Sequence, residues 1–163
     1  MDDEQEIWDV LRRHLDSIFA GDSKTYAETT AQDLSLYEWW VTPHRQDGLD
    51  FHKFMIDNRW SGAGDQWRYD LLEKRCQRYG SRDVAVAIVS YTFMLSTVTP
   101  AGIQHQTHNE SRVLVKQEGV WKVVHVHKSP AHDLVGANRG SPSDSNRGSP
   151  SDPNRGSPSD REP

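Results

Sequence analysis

The stretch Glu-Gly-Val-Trp-Lys-Val-Val-His-Val-His-Lys at residues 118–128 decides the fold. It opens with a Glu-Gly turn signal and continues as a strand rich in valine. Because side chains alternate along a strand, one face is predicted to carry Trp121, Val123, His125 and His127. The other face then carries Lys122, Val124, Val126 and Lys128. Neither face is plainly polar, so we expect the strand to be covered on both sides.

The rest of the folded part is predicted to form helices and further strands that pack with the strand at residues 118–128. Apolar residues recur at helical spacing over residues 7–19, and a further helix is predicted from Asp50 to Trp60. Four strands are expected at about residues 66–79, 84–95, 104–117 and 120–128. Helices followed by strands indicate an α+β fold. We predict a cone-shaped, curved antiparallel sheet around the long N-terminal helix, with a pocket at the wide end.

The C-terminal part has a different composition. Asn-Arg-Gly-Ser-Pro-Ser-Asp begins at Asn138, Asn146 and Asn154, and no repeat contains an apolar side chain. Such a segment cannot bury enough surface to offset its ordering entropy. We therefore predict a folded domain at residues 1–134 and a disordered tail at 135–163. Since the tail cannot cover the outer face of the sheet, a second copy of the chain is expected to cover it.

Composition excludes several function classes. The formal net charge of -5 argues against nucleic-acid binding. A single cysteine, Cys76, allows neither an intrachain disulfide nor a cysteine-based zinc site. No apolar run reaches the roughly 20 residues that cross a membrane, and the acidic N-terminus lacks the features of a secretory signal. A cytoplasmic protein that does not bind membranes is expected.

Several motifs resemble the association (hub) domain of calcium/calmodulin-dependent protein kinase II. They are Gly-Leu-Asp-Phe-His-Lys-Phe at 48–54, Asn-Arg-Trp-Ser at 58–61, Glu-Ser-Arg-Val at 110–113 and the stretch at 121–129. The resemblance covers about residues 5–131. It implies the nuclear-transport-factor-2-like (SnoaL-like) fold, dimers that close into rings, and no catalysis. The chain has no kinase motif and no basic calmodulin-target helix, so it resembles a stand-alone hub; a kinase or other protein bound in trans stays open.

The resemblance also implies a pocket for a small carboxylate. Its residues would be Tyr26, His52, Glu110, Arg112 and Lys128. Two positions depart from the family, since Ser90 and Lys128 stand where it has arginines, and lysine lacks the bidentate fork of arginine. The alternative is that Arg112 and Glu110 form a structural ion pair, because buried charges are normally paired.

Two further readings concern the histidines and catalysis. His125 and His127, with His105 and His108 nearby, could bind zinc, but a polar patch at an oligomer interface is favoured. The predicted interface residues are Trp121, Val123, His125 and His127, and no metal or cofactor is predicted. The alternative function is a SnoaL-like isomerase or hydrolase, with His52 as base beside Tyr26. A large, even-numbered ring would favour the hub, and a plain dimer the enzyme.

Overall fold

The computed structural model describes residues 3–60, 66–80 and 85–131. Its helices are α1 (Asp3–Ala20), α2 (Ser23–Glu28) and α3 (Leu49–Met55), and a π-helical turn (Ile56–Trp60) follows α3 directly. Its strands are β1 (Thr30–Glu38), β2 (Gln46–Asp47), β3 (Trp67–Gly80), β4 (Ala85–Thr99), β5 (Gly102–Gln117) and β6 (Val120–Pro130). The predicted boundary at residue 134 and the predicted disordered tail fall outside the described residues.

One six-stranded sheet organises these elements, in the order β2-β1-β6-β5-β4-β3. Strands β3 to β6 pair antiparallel with their sequence neighbours. The predicted α+β architecture with an N-terminal helix is confirmed. The sheet is mixed rather than wholly antiparallel, because β1 lies parallel to β6. This pairing places β1 beside β6, so residues far apart in sequence meet in the core.

The core lies between α1 and one face of the sheet, which we call the inner face. Helix α1 contributes the buried side chains of Ile7, Leu11, Leu15 and Ile18, which recur every three or four residues. They belong to the same apolar cluster as buried residues of β4, β5 and β6. Burial of each large aliphatic side chain contributes roughly 1.5–3 kcal/mol before entropy is counted. We call the opposite face of the sheet the outer face.

A β-bulge in β6 changes which residues face the core. Val113 pairs with His125, but Leu114 pairs with Val123, so Val124 is an extra residue without a partner in this register. One extra residue shifts the alternation of the side chains by one position. As a result Trp121 and Val123 lie on the inner face before the bulge, with exposures of 2% and 0%.

After the bulge, Val126 and Lys128 take the inner face, and His127 is exposed. The prediction that Trp121 and Val123 share a face with His125 and His127 is therefore wrong. Trp121 and Val123 belong to the protomer's own core, so they cannot contact a partner while the domain is folded.

Among the described residues, no helix combines the length and the apolar character that a membrane crossing requires.

Candidate functional site

Four charged side chains are buried together on the inner face of the sheet. They come from three strands, and their exposures are 1% for Glu38, 4% for Glu110, 1% for Arg112 and 7% for Lys128. Glu110 and Arg112 are two residues apart on β5, so strand alternation places them side by side. Charges at this depth are stable only when each one has a charged or hydrogen-bonding partner.

Arg112 and Glu110 form a closely bonded pair. The Nη2 and Nε atoms of Arg112 donate to Oε2 of Glu110 at 2.8 and 3.1 Å. Nε also donates to the hydroxyl of Tyr91 at 2.8 Å, and that hydroxyl donates to Oε2 of Glu110 at 2.6 Å. Burial raises the pKa of Glu110, but Arg112 and Lys128 more than offset it and hold that pKa well below its usual range. The carboxylate is therefore ionised at neutral pH.

The remaining guanidinium nitrogen of Arg112 contacts helix α1. Its Nη1 atom lies 2.8 Å from Nε2 of His14, and because a guanidinium has no acceptor atom, this nitrogen of His14 must be the acceptor. Nδ1 of the same ring lies 3.1 Å from the hydroxyl of Thr29. Burial, followed by Arg112, lowers the pKa of His14 well below its usual value. The imidazole is therefore neutral at pH 7.

Lys128 and Glu38 form a second buried pair. The ammonium of Lys128 contacts Oε1 of Glu38 and lies 4.0 Å from Oε1 of Glu110. On its other side, Oε2 of Glu38 is 3.4 Å from Nε2 of His52. Burial raises the pKa of Glu38, but Lys128 and His52 outweigh this and lower it to about 2. Burial also lowers the pKa of His52, so at pH 7 this ring is neutral beside a charged carboxylate.

A cavity of about 730 Å³ opens beside these pairs. Its apolar lining comes from α1 and β4, and Trp39 and Trp40, which directly follow β1, line it as well. Glu110 and Lys128 supply its two charged lining groups among the residues the structure describes. The size lies within the roughly 300–1,000 Å³ that is typical of small-molecule sites.

The five residues predicted for the pocket are thus divided into two layers. Glu110 and Lys128 line the cavity, whereas Tyr26, His52 and Arg112 lie behind it. The rings of Tyr26 and His52 are in contact, with centroids 4.8 Å apart. The sequence therefore identified a real cluster of buried side chains. It did not show that the guanidinium of Arg112 is withdrawn from the cavity surface.

Ser90 does not occupy a pocket position. It alternates with the buried residues Val89 and Tyr91 along β4, so its side chain lies on the outer face of the sheet. The inner position beside Glu110 belongs to Tyr91, which pairs with it across β4 and β5. The expectation that Ser90 replaces a pocket arginine is therefore wrong. Alternation of Ala87, Val89 and Tyr91 along the strand was the sequence signal that could have shown this.

The four histidines considered for zinc have separate partners. His125 Nδ1 lies 2.9 Å from the hydroxyl of Ser35, and the ring of His127 is tilted against that of Tyr37 with centroids 5.4 Å apart. His105 Nδ1 is 2.8 Å from the hydroxyl of Ser96, and His108 Nε2 is 2.6 Å from Glu110 Oε1. Across residues 3–60, 66–80 and 85–131, no group of three or more histidine, cysteine or acidic side chains is arranged to hold a metal ion.

The comparisons with known proteins bear on this fold and its buried cluster. The family model of the calcium/calmodulin-dependent protein kinase II association domain matches residues 3–132. The chain belongs to this family. An association domain is an oligomerisation domain, and the predicted resemblance is confirmed.

Individual relatives of known sequence and structure agree with this family assignment. The chain is 26% identical over 126 residues to the rabbit (Oryctolagus cuniculus) calcium/calmodulin-dependent protein kinase type II subunit delta. The aligned region covers 77% of this chain and 23% of the rabbit protein. It is 27% identical to the association domain of the C. elegans kinase, with a TM-score of 0.68 and coverage of 78% and 95%. The chain spans about a quarter of the length of the curated relatives it matches.

A more distant structure places the fold in a wider group. A nuclear transport factor 2 (NTF2-like) superfamily protein from Salmonella enterica has a TM-score of 0.60 and 22% identity, with coverage of 84% and 96%. At this identity the likeness concerns the fold alone. The predicted nuclear-transport-factor-2-like fold is confirmed.

Proposed function

We propose that this domain joins copies of the chain into a ring-like homo-oligomer built from dimers, and that it is not itself a catalyst. The observation that carries the proposal is the outer face of the sheet. Val86 and Ile88 on β4 lie opposite Val115 and Val113 on β5. These four side chains are only partly buried. An apolar sheet face of this kind is typical of a protein interface.

The neighbouring strands extend the same face. His125 of β6 pairs with Val113, and it contacts Ser35 and the ring of Tyr37 on β1. Burial, followed by His127, lowers the pKa of His125, so this part of the face carries a neutral ring at pH 7. The proposed interface therefore still contains His125 and His127. It also contains Ile88 and Val113, and it no longer includes Trp121 and Val123. A broad sheet face supplies the roughly 1,200–2,000 Å² that a stable interface buries in total.

Native mass spectrometry of the full chain tests the assembly. We expect an even-numbered oligomer larger than a dimer, because sheet-to-sheet dimers must associate further to close a ring. A matched chain that ends after Leu134 should give the same number of subunits, since the repeats that begin at Asn138 contain no apolar side chain for an interface. A monomer at micromolar concentration would contradict the proposal, and a plain dimer would contradict the ring.

The small-anion pocket is the alternative to a structural ion pair. Lys128 lines the cavity, which supports it, but both cations of the cluster already contact buried carboxylates. The geometry thus favours the structural ion pair that the sequence left as an alternative. Calorimetric titration of the full chain with a short hydroxycarboxylate is expected to give no saturable heat. Saturable heat that is lost in Lys128→Ala, while the circular dichroism spectrum is unchanged, would establish an anion site at the cavity.

Within the part of the chain that the structure describes, no contact favours the alternative of a SnoaL-like enzyme. Its proposed base, His52, and the adjacent Tyr26 are buried behind the cavity rather than in its lining. A base must come within hydrogen-bond reach of the proton that it removes. A substrate in the cavity would not reach either ring in this arrangement. Binding of a kinase or another protein in trans remains a separate hypothesis.

A further inference from the structure

We propose that the cavity beside the buried charges binds an uncharged, planar aromatic small molecule. The inference concerns the cavity of about 730 Å³ that residues of α1, β4 and β5 line together with Trp39 and Trp40. It does not depend on the oligomerisation proposed above. It differs from the small-anion prediction in the charge of the ligand, and the two lead to opposite results in one titration.

Two indole rings stand at the mouth of the cavity. Trp39 and Trp40 are 43% and 45% exposed, and their rings are perpendicular with centroids 4.3 Å apart. The ring of His108 lies 5.5 and 5.4 Å from them. Aromatic rings bury a large apolar surface and favour stacked or edge-to-face contact with other rings. A flat ligand at the mouth would cover indole surface that water now contacts.

Three rings of the cavity lining lie in similar planes. Phe93 and His108 are 5.0 Å apart with an angle of 23° between their planes. Phe19 and Phe93 are 5.9 Å apart with an angle of 5°. All three residues line the cavity. Because these rings stack on one another, they form a continuous aromatic wall along one side of the cavity. An aromatic ligand gains favourable stacked or edge-to-face contacts with such a wall.

The charges around the cavity are balanced. Glu110 and Lys128 line it with opposite signs, and Arg112 and Glu38 behind them also have opposite signs. Each cation is in contact with a carboxylate, so an anion would meet the repulsion of Glu110 and a cation that of Lys128. Removing a charged ligand from water is costly unless the site supplies a counter-charge. The balance therefore selects against both signs and favours a neutral molecule.

A matched set of naphthalene compounds tests the charge preference. Isothermal titration calorimetry of the full chain would compare naphthalene-2-methanol, 2-naphthoate and 2-naphthylmethylammonium, which share a ring system and differ in charge. We expect the alcohol to bind with a dissociation constant at least about tenfold lower than either ion. Tighter binding of the naphthoate would overturn the proposal and support an anion site. Absence of saturable heat with all three compounds would also overturn it.

Substitutions at the mouth test the location. Trp39→Ala and Trp40→Ala should each weaken binding of the alcohol by about two- to tenfold, which is the range of single aromatic contacts. Both residues are partly exposed, so the fold should persist, and circular dichroism would check it. Phe54→Ala is the control, because Phe54 is a 60% exposed aromatic residue of α3 outside the cavity lining. Equal affinity in the wild type and both tryptophan variants would overturn the assignment.

Discussion

Replacing Arg112 with methionine is expected to lower the free energy of unfolding by about 3–5 kcal/mol, the cost of breaking a buried ion pair by removal of one partner. Arg112 is 1% exposed and donates to Glu110, Tyr91 and His14. Methionine retains much of the volume but donates no hydrogen bond. The carboxylate of Glu110, which is only 4% exposed, would then lose its strongest partner.

The double variant Arg112→Met/Glu110→Gln supplies the control. It removes the orphaned charge, so we expect it to recover a substantial part of the loss. Chemical denaturation at pH 7 and one fixed protein concentration would measure both variants, since the stability of an oligomer depends on concentration. A loss below about 1 kcal/mol in the single variant would mean that the pair is solvated or weakly bonded.

The pH dependence of the wild type gives a second readout of the same cluster. The folded-state pKa values of Glu110 and Glu38 lie below their usual value, and that of Glu38 is about 2. Carboxylates of this kind stabilise the folded state fully above their unfolded pKa of about 4.3. Their contribution is lost as the pH falls from there towards the folded-state values. The double variant, which retains only Glu38, should lose less stability over this interval.

Local patterns account for what the sequence predicted correctly. The spacing of Ile7, Leu11, Leu15 and Ile18 indicated α1 because a helix brings such positions to one face. The β5–β6 hairpin follows from Glu118 and Gly119, both of which adopt positive φ in the turn. Strands that are adjacent in sequence and the short turns between them depend on neighbouring residues. A short stretch of sequence therefore contains the information needed to predict them.

The bulge in β6 could not be predicted from the local sequence. Val123, Val124 and His125 contain no glycine or proline that would mark an irregularity, and strict alternation is the natural expectation. The bulge arises from pairing with β5, which is a property of two strands rather than one. Its consequence is large, because it returns Trp121 and Val123 to the core and turns the histidines outward.

The buried cluster was predicted in part for the same reason. Glu110 and Arg112 are two residues apart on one strand, so their pairing could be inferred. The partners His14 and Glu38 lie 98 and 90 positions from Arg112 and Lys128. Only the parallel contact of β1 with β6 and the packing of α1 bring them close. The roles of Trp39 and Trp40 depend likewise on where β1 ends in the sheet.

Ile88→Glu is expected to dissociate the oligomer while leaving the protomer folded. Ile88 lies on the outer face, between the buried residues Ala87 and Val89, and is only partly buried in the isolated chain. A glutamate there can reach water in a free protomer. In an assembled sheet face it would be a buried charge without a partner, which costs several kcal/mol per interface. Native mass spectrometry should therefore show smaller species, with an unchanged circular dichroism spectrum.

Val123→Glu should behave differently, and the comparison tests the bulge. Val123 is 0% exposed in the core of the protomer, so the same glutamate should unfold the domain rather than separate intact subunits. Phe54→Glu, at a 60% exposed position on α3, is the matched control and should change neither property. If Val123→Glu gave folded monomers while Ile88→Glu retained the full assembly, the face assignments on both sides of the sheet would have to be exchanged.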